Sequence, residues 1–385
     1  MSSNKFIQMD EASEKGIGVY IHVPFCASKC AYCDFYSRVR QDQKEGYLET
    51  VLKEIHLYKD QKLKTGSLFF GGGTPSLLTS SDFQSTFSAL EETMPILSGA
   101  EITLEANPET VTLESLTTLR EIGFNRISFG IQSAVDRELK ALGRRHTFSR
   151  AEEAVCSARE AGFENISVDL MLGIPFQTRE SLDYTIERIL FLRPEHISCY
   201  LLKIEEGTPF YHRHAEKDCA SDDETADFYL HVCETLRNAG YQHYEISNFA
   251  LPGFYSRHNL KYWHDEDYLG LGPAAHSCLN RKRFFNPPDL ACYIDKNGNC
   301  SESEDDAPAQ DAYERLMLGL RLNEGVDLDR IGQFDPGFDE KKKDELLRKT
   351  VPFAKAGLIE TNGKKIRLTE KGMLVSNGIL VELLY

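Results

Sequence analysis

The sequence predicts an α/β protein: a partial (β/α)6 barrel followed by a small C-terminal α+β module of winged-helix character. Three observations predict it. Six short apolar runs alternate with amphipathic helical patterns between residues 18 and 250. The rhythm breaks over residues 251–300, which are rich in aromatics, His, Asn and Pro. Residues 311–385 then read helix, helix, hairpin, helix.

The strand candidates are Gly18–Pro24, Ser67–Phe70, Ile102–Glu105, Arg126–Gly130, Ile166–Met171 and Ile197–Leu202. Helical patterns fill the gaps, among them Glu45–Tyr58, Leu113–Ile122, Arg150–Ala161, Glu180–Phe191 and Asp223–Ala239. Such alternation implies parallel strands joined by right-handed crossovers. Six units suit a partial barrel; an open doubly wound sheet is the alternative. In a barrel, chemistry is expected on the loops after the C-terminal ends of the strands. The expected organisation is a tail over 1–17, the barrel over 18–250, a segment over 251–300 packed on it, an acidic linker over 301–310 (SESEDDAPAQ) and the C-terminal module over 311–385. In that module the expected elements are helices near Ala312–Leu322 and Lys341–Ala356, a hairpin over Gly357–Leu368, and a last helix capped by Thr369 and Glu370.

Composition narrows the function classes. Hydrophobic residues are 41% and charged residues 27% of the 385, an ordinary globular balance. There is no apolar run of about 18 residues that would span a membrane. The first fifteen residues are polar, without the apolar stretch of a secretory signal or the Arg-rich character of a transit peptide. The expected location is the cytoplasm. A net charge of −16 disfavours nucleic acid as a partner, and it argues that the C-terminal module packs on the barrel instead of reading DNA.

Three of the ten cysteines fall in Cys26-Ala-Ser-Lys-Cys30-Ala-Tyr-Cys33, directly after the first strand. In a reducing compartment, clustered thiols bind metal more often than they pair. Three thiolates can hold three irons of a [4Fe–4S] cluster and leave the fourth open. A zinc site with His22 as fourth ligand is the alternative. The other seven cysteines read as small buried hydrophobes. Gly71-Gly72-Gly73-Thr74-Pro75 follows the second strand, where glycines let backbone approach a ligand or simply make a tight turn. Glu105, Gln132 and Asp169 end strands three, four and five, and Arg144 falls in the next loop. Singly these are rim residues; together they suit a polar cage for a zwitterionic nucleoside.

With Tyr20-Ile-His22-Val-Pro-Phe-Cys26 ahead of the cysteines, then GGGTP, Glu105-Ala-Asn-Pro, Phe129-Gly-Ile-Gln132-Ser, Leu142-Gly-Arg144-x-His146 and Asp169-Leu-Met-Leu-Gly-Ile-Pro, the chain resembles the oxygen-independent coproporphyrinogen III oxidase (HemN-like) family of radical S-adenosylmethionine (SAM) proteins along nearly its whole length. The resemblance implies that Cys26, Cys30 and Cys33 bind a [4Fe–4S] cluster. It also implies that Tyr20, Tyr32, Gly72, Gly73, Thr74, Glu105, Gln132, Arg144 and Asp169 contact SAM. Arg144 would pair with the methionine carboxylate, the Gly73 amide and Glu105 would meet the amino group, and Gln132 and Asp169 the ribose hydroxyls.

The family holds two kinds of protein. Oxidases carry a further cysteine two residues after the third, where this chain has Phe35, and a long N-terminal extension, where only 25 residues precede Cys26. The other kind, the HemW-type haem chaperones, carries HNxxYW, matched by His258-Asn259-Leu260-Lys261-Tyr262-Trp263 with the chain's only Trp. Gly270-Leu-Gly272-Pro-Ala-Ala-His276-Ser277 is also typical of the family. This resemblance implies haem as cargo, acceptor haem proteins such as respiratory enzymes at the membrane, and an electron donor. His258, Asn259, Tyr262 and Trp263 are the candidates for haem contact, with His264 and His276 as rival ligands. The bland alternative is a loop stapled to the barrel by Tyr262 and Trp263, with His258 bonded locally. Oxidase activity is the functional alternative.

Overall fold

Each of the six expected strands forms in the computed structural model, which describes residues 16–303 and 310–384. They are β1 (Ile17–Val23), β2 (Thr65–Gly72), β3 (Ile96–Ala106), β4 (Arg126–Gln132), β5 (Ile166–Leu172) and β6 (His196–Leu201). They pair in sequence order, each parallel to the next. That is the partial barrel, not the reordered sheet of a doubly wound fold. β3 starts earlier than expected: its first four residues, Ile96 to Gly99, are half-buried or exposed, and Ser98 and Gly99 interrupt the apolar run.

Crossover helices cover the outside: Lys44–His56, Ser80–Thr93, Leu113–Ile122, Phe148–Glu160 and Arg179–Leu192, with Asp222–Asn238 following β6. Several begin with reciprocal capping boxes, Thr79 with Asp82, Thr112 with Ser115, Thr178 with Ser181 and Ser221 with Glu224. Their start points are therefore set by local sequence. Beneath them, Phe70, Phe83 and Phe124 stack with ring centroids 5.0–5.4 Å apart, one knot in an apolar core that runs unbroken from the barrel into the C-terminal module.

Both edges of the six-stranded arc are extended. On the β6 side, β7 (Gln242–Glu245) and β8 (Asn248–Ala250) add an antiparallel pair. On the β1 side, β9 (Tyr268–Leu271) pairs parallel to β1, followed by β10 (His276–Leu279), β11 (Lys282–Phe285) and β12 (Glu302–Ser303). Twelve strands thus form one sheet. The 251–300 segment is woven into that sheet and carries a helix, Arg257–Trp263. Its strands are four residues long and joined by tight turns, with positive φ at Gly272, Asn280 and Arg281, too short for periodicity to reveal. At Gly272 a side chain would stand 2.6 Å from the His22 carbonyl oxygen, so only glycine fits.

The C-terminal module holds β13 (Val326–Asp327), β14 (Ile359–Asn362) and β15 (Lys365–Leu368) in the order β13-β15-β14, with helices Ala312–Gly319, Leu328–Phe334, Glu340–Lys355, Glu370–Leu374 and Ser376–Leu384. The Leu328–Phe334 helix was not expected; its seven residues bury only Leu328 and Ile331. The module docks on the barrel through backbone: Ile246 N–H donates to the Arg321 carbonyl and Asn323 N–H to the Tyr244 carbonyl, both at 3.0 Å. Most of the expected tail (1–17) and linker (301–310) lie outside the described residues. Among the described residues no helix is long and apolar enough to cross a membrane.

Glu54, 2% exposed, ties the β1-side extension to the barrel. Its carboxylate accepts from Gly272 N–H at 2.8 Å, Asn286 Nδ2 at 2.6 Å and the Tyr293 hydroxyl at 2.6 Å. Burial raises its pKa from 4.5 to about 7, partly offset by those bonds. Glu54→Ala strands three buried donors and should cost about 3 kcal/mol or more in urea unfolding. The folded chain keeps this proton up to about pH 7, whereas the unfolded chain loses it near 4.5. Glu54 therefore makes stability fall as pH rises through that window, by about 3 kcal/mol. Glu54→Gln, which keeps an acceptor but cannot ionise, should flatten the decline; an unchanged pH profile of unfolding would contradict this assignment.

Candidate cofactor site

The three cysteines sit on the loop leaving β1, at the end of the barrel where β2–β5 also deliver polar residues. Two backbone bonds stitch its start, Cys26 N–H to the Arg38 carbonyl at 3.0 Å and Arg38 N–H to the Pro24 carbonyl at 2.7 Å. Ala31 N–H donates to the Leu142 carbonyl at 3.0 Å, fastening the loop to the strand-four side. Cys26 is buried while Cys30 and Cys33 are partly open. Cys26 and Cys30 each have a side-chain donor. The Thr74 hydroxyl donates to Cys26 Sγ at 3.6 Å, and Arg144 Nη1 donates to Cys30 Sγ at 3.5 Å. Burial raises the Cys33 thiol above its ordinary value.

The zinc alternative loses its fourth ligand here. His22 is buried, its Nδ1 within 3.0 Å of the Tyr20 hydroxyl and its Nε2 within 2.8 Å of the Tyr36 carbonyl oxygen. Donating Nε2–H to that carbonyl leaves Nδ1 as acceptor for Tyr20, so both ring nitrogens are used.

The cage residues are brought together. Gly72, at φ +103°, turns its N–H to Glu105 Oε2 at 3.2 Å, and a side chain there would strike the His22 ring at 2.5 Å. Burial first, and then nearby Asp169, push the Glu105 carboxyl up to about 7. Burial likewise raises Asp169, which accepts from the Ser128 hydroxyl at 3.2 Å. Arg144 bonds the Gly130 carbonyl with its other terminal nitrogen. Gln132 sits at φ +75°, and its Oε1, like Arg144 Nε, is sealed from solvent with no hydrogen-bond partner among the described residues. Tyr32 packs edge-on against Phe210.

One expected role is corrected. The Gly73 amide donates to the Val23 carbonyl at 2.8 Å, and an ammonium is itself a donor. Gly73 can serve an amino group only through its carbonyl oxygen.

Tyr20, Glu105 and Asp169 line a cavity of about 200 Å3 inside the barrel. Arg126, Ser128, His196 and Ser198 line it too, and sequence reasoning missed them. Their signal was present: Arg126 and Ser128, like His196 and Ser198, are polar residues two apart in otherwise apolar strands, which places each pair on one face. The set as a whole fits the implied cofactors: three thiols for iron, a cation beside one of them, an acidic pair for amine or hydroxyl groups, and two orphaned polar atoms that want a partner.

The HNxxYW residues reach this cavity from the opposite end. Glu101 accepts the N–H groups of Arg257 at 3.1 Å and His258 at 3.0 Å, while Ser256 Oγ caps Asn259 N–H at 3.3 Å. Lys261 Nζ donates to the Gly16 carbonyl at 2.9 Å. The Arg257–Trp263 helix thereby plugs the barrel mouth where the strands begin. His258 is 1% exposed and stacks on Phe69. Its Nδ1 lies 2.9 Å from the Ser67 hydroxyl and its Nε2 2.7 Å from the Tyr262 hydroxyl. Burial, then Lys261 and Arg126, lower its pKa to about 3. Asn259 and Tyr262 also wall the cavity. In this arrangement His258 is the locally bonded residue of the bland reading, with no free lone pair for iron. Trp263 lies outside the cavity, under the Arg321 guanidinium at 5.9 Å. His276 is exposed and stacks on Phe285. His264 is exposed at the rim of a larger cavity, about 490 Å3, between β7 and the C-terminal module, with Tyr244, Tyr255 and Leu260 on its walls.

Comparison with known proteins agrees with this layout. The radical SAM superfamily model matches residues 20–189, and the HemN C-terminal domain model matches residues 307–375. Heme chaperone HemW of Lactococcus lactis subsp. lactis is 32% identical, covering 96% of this chain and 98% of its own length. Heme chaperone HemW of Escherichia coli is 37% identical over 80% of this chain and 84% of its own length. Among solved structures, coproporphyrinogen III oxidase (HemN) from Escherichia coli, a radical SAM enzyme, superposes with a TM-score of 0.83 at 25% identity, covering 100% of this chain and 94% of that one. With a radical SAM match over the barrel, a [4Fe–4S] cluster and SAM as the cofactors that match implies, and end-to-end likeness to such relatives, the chain belongs to the heme chaperone HemW family of radical SAM proteins.

Proposed function

We propose that this chain is a haem chaperone that carries a [4Fe–4S] cluster and SAM in its barrel and passes haem to acceptor haem proteins. The observation that carries the reading is the end-to-end match to heme chaperones in a chain whose position 35 is an exposed phenylalanine, 69% accessible, where the oxidases carry a fourth cysteine. Ten unpaired thiols suit a reducing compartment, and the reading places the protein in the cytoplasm. An electron donor and respiratory haem proteins as acceptors complete it.

Cys26, Cys30 and Cys33 are the cluster ligands on this reading, and three thiolates leave one iron without a protein ligand. When bound, cluster and SAM supply reductive cleavage chemistry that the protein itself lacks. The chain's own groups bind and orient. The Arg144 guanidinium, held by Gly130 and Cys30, presents Nε to a carboxylate. Glu105 and the Gly73 carbonyl accept from an amine. Gln132 and Asp169 are placed for hydroxyls. Tyr20, Tyr32 and Thr74 fill in around them.

For haem, the geometry favours His264 over His258. Opening the His258 site would break two buried hydrogen bonds and unplug the barrel. The cavity beside it, at about 200 Å3, lies below the usual range for even a drug-sized ligand. His264 has only a surface pair with Glu324, at 2.9 Å, a contact worth little to stability. It stands over a cavity of about 490 Å3 with aromatic walls, which suits a porphyrin face.

Anaerobic reconstitution should load about four irons per chain, and Cys30→Ala should lose the cluster's visible absorption. Zinc in place of iron at these thiols would sink the cofactor assignment. Haemin titration should give a saturable Soret band, weakened about tenfold or more in His264→Ala. His258→Ala should instead lower the unfolding midpoint with haem affinity nearly kept. The reverse pattern would return the ligand role to His258. No saturable binding, or production of protoporphyrinogen from coproporphyrinogen III with SAM and reductant, would overturn the chaperone reading.

A further inference from the structure

Away from the barrel's cofactor end, three side chains converge where β7 meets the C-terminal module. Cys233 belongs to the Asp222–Asn238 helix, His243 to β7, and Glu370 opens the Glu370–Leu374 helix. One ligating atom from each lies within 4.8 Å of the other two. Cys233 and His243 are buried and Glu370 is half-buried. Alone, Cys233 reads as a small buried hydrophobe; its neighbours change that.

The tautomer of His243 points the same way. The Tyr229 hydroxyl donates to the Ile246 carbonyl at 3.0 Å, so toward His243 Nε2, 3.5 Å away, it can only accept. Nε2 therefore carries the ring proton and Nδ1 the lone pair. Nδ1 is sealed from solvent, on a ring 8% exposed, with no hydrogen-bond partner among the described residues. What faces it is Glu370 Oε1 at 3.9 Å, another acceptor and too distant for a hydrogen bond. A lone pair, a carboxylate oxygen and a thiol around one buried point call for a positive charge between them, either a proton on Nδ1 paired with Glu370 or a metal ion.

We propose that Cys233 Sγ, His243 Nδ1 and a Glu370 carboxylate oxygen form a divalent transition-metal site of the zinc class. Thiolate, imidazole and carboxylate are the ligands zinc takes, at about 2.3, 2.0 and 2.1 Å. Binding releases the Cys233 thiol proton, one per ion, so thiolate and carboxylate balance the dication. Arg237, paired with Glu370, fixes that carboxylate from outside, and the Tyr229 hydroxyl holds the imidazole, as supporting groups around zinc ligands do. His243 and Glu370 also line the cavity of about 490 Å3, so the fourth coordination position faces it. Two ligands come from the barrel and one from the C-terminal module, so the ion pins the two together. The rival is a metal-free staple of Arg237, Glu370 and His243.

The test uses the full chain with its cluster assembled, freed of loose metal by a chelator, and titrated with zinc in the absence of haem. One zinc per chain should bind, and zinc X-ray absorption should show one sulfur with two or three nitrogen or oxygen neighbours. Cys233→Ser should remove the sulfur signal. His243→Gln and Glu370→Gln should each weaken binding about tenfold or more and abolish the rise in unfolding temperature that zinc gives the parent chain. Failure of the parent chain to bind zinc, a site with three sulfurs (zinc on the cluster cysteines), or binding unaltered in His243→Gln would overturn the proposal, the first leaving a polar staple only. Because His243 and Glu370 wall the cavity proposed for haem, the titration without haem reads zinc alone, and the haemin titration tests the chaperone reading separately.

Discussion

Six parallel strands wound in order make an arc, and an arc leaves two raw edges and an open bore. Much else in this molecule answers that constraint. β9 closes the β1 edge and carries β10–β12 with it, while β8 and β7 close the β6 edge. The Arg257–Trp263 helix fills the bore from below, its first amides held by Glu101. What remains open is the end where the strands finish, and there the cysteine loop and the cage residues gather.

Filling the bore sets its electrostatics. Glu105 and Asp169 line a space shared with Arg126, and the helix that plugs it adds His258, held neutral by burial and by Lys261 and Arg126. Carboxyls pushed upward beside buried guanidiniums are the arrangement expected where charge is held ready for a ligand. The same logic explains why Gly72 and Gly130 lack side chains: at each a Cβ would run into a functional group, the His22 ring at one and the Arg144 guanidinium at the other. Loop chemistry and strand chemistry are fitted to one another across that gap.

The legible parts of the sequence were those with a local code. Helices were legible through their three-to-four apolar spacing, and Thr79, Thr112, Thr178 and Ser221, with capping partners three residues on, mark their starts. Strand positions could be read because each central strand is an apolar run. Cys26, Cys30 and Cys33 stood out through spacing and position after β1. Other features depend on pairing between distant segments. Gly73 N–H is spent on Val23 by the parallel register of β1 and β2, which no single segment encodes. Arg126, His196 and Ser198 become cavity residues only once the strands curve. Cys233, His243 and Glu370 are separated by up to 137 residues, the difference between positions 233 and 370, and meet only because the C-terminal module returns to β7.

On the proposed reading, the HNxxYW segment positions the haem ligand instead of supplying it. Its first residue, His258, fastens the helix to Ser67 and bonds Tyr262 one turn on. Its last, Trp263, lies under Arg321 of the C-terminal module. The helix therefore divides two spaces by face: His258, Asn259 and Tyr262 line the barrel cavity, while Leu260 and the C-cap residue His264 line the larger one. A side chain on the first turn feels the cofactor end through Phe69 and Tyr262; a side chain just past the last turn stands over the aromatic cavity. Seven residues of helix rise about 10 Å, so its two faces serve separate spaces while moving as one body. On that reading the motif residues set position, and the ligand role falls to His264, the helix's C-cap residue.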